Sequence, residues 1–468
     1  MKSPIGSPQF CELDVGKRVD TIAATLDTIA KLPDEHCALY LLRYQVGRMD
    51  YTMRTTPPDS CVSALRRFDS AVRRAFEIII GKPTSEEQWV QACLPVRCRG
   101  MGMRSVQHIA PVAYYSSRAA TWDRCEAIWP GFSGLLRDPV REAERVINES
   151  LNSEDAVPIL PCGDGVPSQK SISDKGAAAR ALGLLQPAPP LEKARLIAYS
   201  APMVGRWLSA KPSPNADMHM SGQEVSICTS LQLGIAVMNG GHLCRFCNSV
   251  TDSYGIHCGS CMAGGDVTLR HNKVRNLMYK YCCRGQMNPE LEKAGILEEP
   301  GVFVDMARPA DIFIPDFGEA GSSIRVALDV KVINALGNNH YLETLDGPMV
   351  AAENYRETAS LRDDVRARCA ARGVRYEPLV FTTQGGCDKR TEALLSQIAD
   401  VVARSECRES GAVKAEMLQA ISMSIMKSVA KSIIRRSSQW RRDAVDEEGT
   451  EPMDEEPVDE DPMDEAHG

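Results

Sequence analysis

RPADIFIPDFGEAGSSIRVALDVKVI, residues 308–333, holds two short apolar runs around a loop rich in Gly and Ser. Ile312–Ile314 and Ile324–Ile333 flank Gly318, Gly321, Ser322 and Ser323, a pattern that predicts a β-hairpin. Strand side chains alternate, so Ile324, Val326, Leu328, Val330 and Val332 fall on one face and Arg325, Ala327, Asp329 and Lys331 on the other. Asp311, at the head of the first run, can sit beside Asp329 and Lys331. Two carboxylates and an ammonium converging there suit a hydrolytic Mg²⁺ or Mn²⁺ site. The carboxylates hold the metal through oxygen, and the Lys orients or activates the attacking water.

The order Asp311, then Asp329-x-Lys331, matches the spacing of the PD-(D/E)xK nuclease pattern. An Asp-x-Lys on a half-exposed strand also arises by chance, as a solvated face, so the neighbourhood decides. Upstream lies Cys244-x2-Cys247-x9-His257-x3-Cys261. Zn²⁺ takes four N or S ligands in a tetrahedron, and a C-x2-C turn presents two thiolates to one ion. Cys258 forms a second C-x2-C with Cys261, so an all-Cys set competes with the set containing His257. Either site is structural, because protein fills all four positions. Buried free thiols are the plainer alternative in a chain with 17 cysteines.

The totals bound the rest. A chain of 468 residues, 43% hydrophobic and 25% charged, holds two or three soluble domains with ordinary cores. No apolar run reaches membrane-spanning length, and the N-terminus lacks the apolar core of a signal peptide. An odd cysteine count without a secretory signal argues for thiols and metal ligands over a disulfide framework. The net charge of −8 belongs to the tail, where 13 acids and no Lys or Arg follow from Asp443, so the remainder is mildly basic. A mildly basic body permits nucleic-acid binding.

Residues 1–135 read as helical. Ile22, Leu26 and Ile29 recur at helical spacing, Pro33-Asp34 opens a second helix, and Gly81 stops a third at Ile80. Residues 136–240 read as linker and short helices, richest in Pro and Gly at 158–167 and 187–190. The zinc knuckle takes 241–262. A helix starting near His271 leads into an α/β domain over 263–408 with a mixed central sheet, whose further strand is YEPLVFT (376–382). Residues 409–442 form a basic amphipathic helix with an apolar stripe through Leu418, Ile421, Ile425, Val429 and Ile433. Its Lys427, Lys431, Arg435, Arg436, Arg441 and Arg442 are either solvated or contact phosphate. The tail at 443–468 repeats EPMDE, EPVDE and DPMDE and is expected to be disordered. The expected class is α+β multidomain.

LCRFCNSVTDSYGIHCGSCMAGGDVTLRHNKVRN (243–276), followed by RPADIFIP and ALDVKV, resembles the C-terminal region of site-specific non-LTR retrotransposon polyproteins. In that family a CCHC zinc knuckle precedes a restriction-like endonuclease. LRRFDSAVRRAF (65–76), QACLPVRCRGMGMRSVQHIAPVAYYSS (91–117) and ARLIAYSAPMVGRWLSAKP (194–212) resemble the segment after the reverse-transcriptase palm. The resemblance implies zinc on Cys244, Cys247, His257 and Cys261, favouring His257 over Cys258. It implies metal on Asp311 and Asp329, with Lys331 as the water-orienting partner. Glu292 is the candidate extra acid from a first helix, in competition with Glu290, Glu298 and Glu299. His271 is a candidate for the phosphate, but starting the helix is the favoured role, and Glu353 and Arg356 are lesser candidates. An aromatic-x-Asp-Asp polymerase motif is absent, since Asp363-Asp364 follows Leu361-Arg362, so no reverse transcription is expected.

The expectation is a Mg²⁺- or Mn²⁺-dependent DNA endonuclease, nuclear or cytoplasmic, with DNA as partner and element RNA as a second candidate. A catalytically inactive nucleic-acid-binding remnant is the alternative. A third reading is an interaction protein whose acidic tail binds basic proteins.

Overall fold

A computed structural model of the chain describes residues 3–437, except 152, 161–166, 297–307, 309, 319–323, 338–339 and 362–364. Pro309, Glu298, Glu299, the Asp363-Asp364 pair, Arg441, Arg442 and the acidic tail therefore lie outside the described residues. Ten helices come first: α1 (Pro8–Ile29), α2 (Glu35–Leu42), α3 (Asp50–Thr55), α4 (Val62–Ile80), α5 (Glu86–Cys93), α6 (Val106–Ile128), α7 (Phe132–Glu149), α8 (Gln169–Leu185), α9 (Pro190–Ala198) and α10 (Gly222–Leu233). The short α11 (Ile256–Ser260) and long α12 (Asp266–Arg284) lead to β1 (Glu290–Leu291), β2 (Ile312–Ile314) and β3 (Arg325–Ile333). Then follow α13 (Tyr341–Asp346), α14 (Val350–Leu361), α15 (Val365–Ala371), β4 (Val374–Thr382), α16 (Lys389–Ser405) and α17 (Ser410–Arg436). Among the described residues, no helix is long and apolar enough to cross a membrane.

Local sequence explains the helix ends. Ser7 caps α1 ahead of Pro8, and Asp34 accepts the Cys37 amide to cap α2. Ser85 with Gln88, and Ser221 with Glu224, form reciprocal capping boxes on α5 and α10. Gly81 stops α4 in the left-handed conformation at φ +66°.

The strands form one mixed sheet in the order β1-β2-β3-β4. The first two pairings are antiparallel, and β3–β4 is parallel. Both faces are covered. Val326, Leu328 and Val330 join Ile312, Ile314, Leu379 and Phe381 in the main apolar core, which includes residues of α12, α16 and α17. On the other face Ala327, Phe313, Val374 and Tyr376 pack with Cys369 of α15.

The main core does not stop at a domain border: it runs from Val15 of α1 to Ile433 of α17. The sequence reading set out a helical N-terminal half, a linker with short helices over 136–240 and a basic amphipathic helix over 409–442. In the structure the 136–240 region carries most of α7 and all of α8–α10, and α10 packs on α4 and α17. The α17 helix is a central strut. It contacts α10, α11, α12 and α16, and Ile421, Ile425, Met426 and Ile433 are all fully buried. The small side chains of Ser422 and Ser432, also fully buried, let neighbours approach the face that the apolar stripe leaves polar.

His36, only 2% exposed, accepts the Met220 amide at 3.2 Å and stitches α2 to the segment before α10. Burial, then the charges of His219 and Lys427, hold its imidazole down to about 4. An unfolded His protonates near pH ~6.5. Stability from the neutral ring is therefore full above that pH and is lost as pH falls toward 4, by roughly 3 kcal/mol across the window. Urea unfolding at pH 7 and pH 4.5 should show a smaller loss for His36→Gln than for the parent. Equal losses in the two proteins would remove the assignment.

Candidate functional site

The expected knuckle, a Cys3His group able to hold a metal ion, is built by two tight turns. The Cys244 amide donates to the Ser249 carbonyl (2.8 Å), and the Asn248 amide to the Cys244 carbonyl (2.7 Å). Asn248 takes φ +57°, which brings Cys247 round to face Cys244. Gly255 (φ +69°) begins α11, and a Cβ there would meet Ile433 at 2.6 Å, so only glycine lets the knuckle close against α17. The Asp252 carboxylate accepts the amides of Tyr254, Ile256 and His257 and sets the direction of α11.

Cys244, Cys247, His257 and Cys261 bring their ligand atoms within 4.8 Å of one another. Cys244 Sγ lies 4.0 Å from Cys261 Sγ. Cys247 Sγ lies 3.6 Å from Cys261 Sγ and 3.4 Å from His257 Nε2. Thiolates on a tetrahedral Zn²⁺ at ~2.3 Å stand about 3.8 Å apart, so the four donors fit that ion in type and spacing. The Ser249 hydroxyl and amide hold the Cys247 thiol down to about 6, which favours the thiolate a metal needs. Cys258 is fully buried in the main core, with burial pushing its thiol up to about 12. That disposes of the all-Cys set: adjacent residues of a helix point apart, and here His257 takes the metal side.

The knuckle is clamped from behind. Phe246 lies under the guanidinium groups of Arg245, Arg435 and Arg436, at 4.6, 5.1 and 4.9 Å from its ring centre. Arg435 (2.6 Å) and Arg436 both grip Asp266 in the first turn of α12. The predicted basic end of the terminal helix is thus largely spent inside the protein. Lys427 likewise pairs with Asp217, while Lys431 stays exposed.

The second group lies where α12 crosses the sheet. Asp311 directly precedes β2, and its amide donates to the Leu328 carbonyl, which sets it opposite Asp329. Its Oδ2 accepts the Val330 amide (2.6 Å), and Oδ1 lies 3.1 Å from His271 Nε2. Asp329 Oδ1 is 2.9 Å from Lys331 Nζ, and Oδ2 accepts the Tyr376 hydroxyl at 2.7 Å. The hairpin therefore brings together the three residues expected from sequence. Each carboxylate oxygen has one protein partner, and a carboxylate oxygen has lone pairs for two.

The surroundings shift the two acids in opposite directions. Burial alone would raise the Asp311 carboxyl, but the His271 contact, the Val330 amide and Lys331 bring it below the usual range. Burial raises Asp329, and the negative charge of Asp311 adds to this against the pull of Lys331. Lys331 keeps its proton: the charges of Asp329 and Asp311 outweigh burial and raise it. Oxygen donors of this kind suit Mg²⁺ or Mn²⁺, which typically takes one or two carboxylates and leaves its other positions to water and phosphate.

Two expectations change. His271 does not start a helix: α12 begins at Asp266, and His271 sits in its second turn against Asp311. Glu292 is on no helix. It follows β1 with φ +46°, its amide bonds the Asp311 carbonyl, and its carboxylate pairs with Arg275 and with Arg308 (2.7 Å). Glu290 pairs with Lys293. Arg356, 2% exposed, binds Asp388 and Thr391 and ties α14 to the start of α16, while Glu353 is exposed. Tyr376 was missed as a site residue. It sits on β4, the edge strand that runs parallel to β3, in register with Ala327 and one pleat from Asp329, and that register is not written in either strand alone.

No protein-family model matches the chain, and no curated protein matches it.

Purified full-length protein should carry one zinc per chain by atomic absorption, with Cys261→Ala and His257→Ala losing it. Cys258→Ala should keep the metal while losing stability. Loss of zinc in Cys258→Ala but retention in His257→Ala would reverse the ligand set.

Proposed function

We propose that the chain is a metal-dependent phosphodiester hydrolase acting on DNA, a retroelement-derived endonuclease whose zinc knuckle belongs to its nucleic-acid surface. The observation that carries this reading is the convergence of Asp311, Asp329 and Lys331 at the β2–β3 pairing, each fixed by a second group. The resemblance of the knuckle and the hairpin to the retrotransposon region supports the same reading.

Asp311 and Asp329 would hold the cation. Bound there, a divalent ion supplies Lewis-acid stabilisation of phosphoryl charge and lowers the pKa of water. The side chains do the rest. Lys331, as an ammonium, donates hydrogen bonds to the attacking water or a non-bridging phosphate oxygen, and offsets the negative charge that grows on the phosphoryl oxygens. A protonated Lys cannot accept the proton of that water, so its role is orientation and charge. His271 and the Val330 amide fix both oxygens of Asp311, and Tyr376 fixes the far oxygen of Asp329. The carboxylates thereby keep one direction while the phosphate moves, the kind of support that a reacting geometry needs. Lys331 is one-third exposed, so this face of the site is open to a polymer.

Supercoiled plasmid with Mg²⁺ or Mn²⁺ tests the reading. The full chain should nick it, Asp329→Asn and Asp311→Asn should reduce nicking by at least ~100-fold, and Lys331→Ala by about 10²–10³-fold, as for removal of a charge-stabilising donor. All three should still bind DNA. Equal nicking by parent and variants would assign the activity elsewhere, and a zinc-loaded parent that never nicks would leave a binding protein.

A further inference from the structure

Beside the end of β3 lies a cavity of about 190 Å³ that the carboxylate chemistry does not use. Leu191, Leu231, Ile256, Leu336 and Val429 give it apolar walls. Asn334 and Thr383–Gln384 close it at the carboxyl ends of the two parallel strands, the edge of an open α/β sheet where ligands bind by general rule. A cavity of ~150 Å³ accepts benzene, so this one has room for a somewhat larger planar ring system.

Its polar groups are selective. Asn334 is fully engaged, with Ile256, Ser260, Thr383 and Leu336. Arg195 is spent on Glu192, Gln91 and the Gln232 carbonyl. Two residues are not spent. Among the described residues, the hydroxyl of Tyr199, 3% exposed, has no hydrogen-bond partner. Gln384, 6% exposed, has its carbonyl oxygen 3.2 Å from Thr383 Oγ1 but no partner for its amide nitrogen. Both line the cavity. The Tyr199 hydroxyl and the Gln384 amide nitrogen, without partners among the described residues, belong to the lining of one apolar cavity, and a flat ligand with ring acceptors would supply both with partners. A carboxamide at such an edge also pairs with an adenine edge through both of its atoms.

The cavity does not stand alone. It shares Pro189, Leu191, Ile256, Gly259, Asn334 and Leu336 with a larger groove of about 970 Å³. That groove is floored by Val332 and Ile333, the residues after Lys331 on β3, and flanked by His257 of the knuckle. Arg270 forms part of its wall. The guanidinium is buried, makes one hydrogen bond, to the Gly259 carbonyl at 2.8 Å, and has no partner for Nε and Nη1. A buried guanidinium without a hydrogen-bonded carboxylate leaves positive potential in the groove, where a phosphodiester backbone gains from it.

We infer that the cavity takes a single unpaired nucleobase, adenine best, from a nucleic-acid strand whose backbone runs in the groove between the knuckle and the end of β3. This rests on the nucleic-acid part of the proposed function and not on catalysis. Extruding a base is cheapest where it is already unpaired, and capture needs an apolar slot with edge-reading hydrogen bonds.

Fluorescence anisotropy on the full-length Asp329→Asn protein, with no cleavage to interfere, provides the test. The probes are a labelled duplex with a single-adenine bulge, the same duplex fully paired, and free adenosine as competitor. The bulged duplex should bind about 10-fold tighter than the paired one. Tyr199→Phe and Gln384→Met, each added to that background, should cut the preference to about 3-fold or less. Affinity for the paired duplex and zinc content should stay unchanged in both, and the melting temperature in Tyr199→Phe, whereas Gln384→Met also removes the acceptor beside Thr383 Oγ1 and should lower the melting temperature slightly. Equal binding of bulged and paired duplexes overturns the inference, as does a preference that survives both substitutions. Adenosine protection against thermal unfolding without a bulge preference also overturns it, in favour of a free nucleoside site. A preference without plasmid nicking by the parent would sink the hydrolase reading alone, and nicking without a preference would sink this one alone.

Discussion

Asp266 is buried at 6% exposure and held between Arg435 and Arg436, and the rest of the site depends on that grip. The contact joins the first turn of α12 to the last turn of α17. It places a carboxylate at a helix N-terminus and guanidinium groups at a helix C-terminus, so both macrodipoles are complemented. Arg436 also donates to the Ala263 carbonyl in the loop after the last zinc ligand. Knuckle, α12 and α17 thus meet at one charged point with little water. Removing one partner from such a buried pair typically costs 3–5 kcal/mol, because the other charge is left unpaired. The far end of α12 is secured separately, by Arg284 on Glu406 and Glu416, so the helix is pinned at both ends and His271 has little freedom between them.

What the sequence made legible follows the range of the interactions. The hairpin could be read because β2 and β3 are adjacent in the chain and alternate cleanly. The two turns of the knuckle could be read because their ligands fall within 18 residues. The stripe of α17 was visible as well, but not its burial on nearly every side. Ser422 and Ser432 look solvent-facing in a helical projection, yet the Ser422 hydroxyl accepts the Trp207 amide from over two hundred residues away. The choice between His257 and Cys258 needed the position of the core. The two side chains diverge from one short helix, and only α17 decides which of them is inside. The contact of His271 with Asp311, and Tyr376 as a site residue, were hidden for the same reason, since a helix crossing and a parallel register are both set by partners remote in sequence.

The paired acids illustrate how a fold assigns different roles to one residue type. Asp311 sits where a strand begins, so a backbone amide of β3 is free to point at it, and α12 supplies an imidazole on its other side. Asp329 sits within β3, where neighbours occupy the backbone groups and only side chains, Lys331 and Tyr376, can reach it. The first is therefore held ionised by hydrogen bonds, while the second is raised by burial and by its neighbour's charge. The surroundings thereby move the two carboxyl groups in opposite directions. The division comes from position at a strand end against a strand middle, and no further residue is needed to produce it.

Strand β3 sets the distance over which these features act. Asp329 and Lys331 project from it, Val332 and Ile333 form the groove floor, and Asn334 at its end holds α11 through the Ile256 carbonyl and the Ser260 hydroxyl. At ~3.3 Å per residue, Lys331 and Asn334 stand about 10 Å apart. β4 pairs with this strand in parallel as far as Ile333, while β2 pairs only with Val326–Leu328, so it is the parallel ladder that fixes that span. A shift of the knuckle therefore reaches the carboxylates by two rigid routes, along β3 from Asn334 and through α12 to His271.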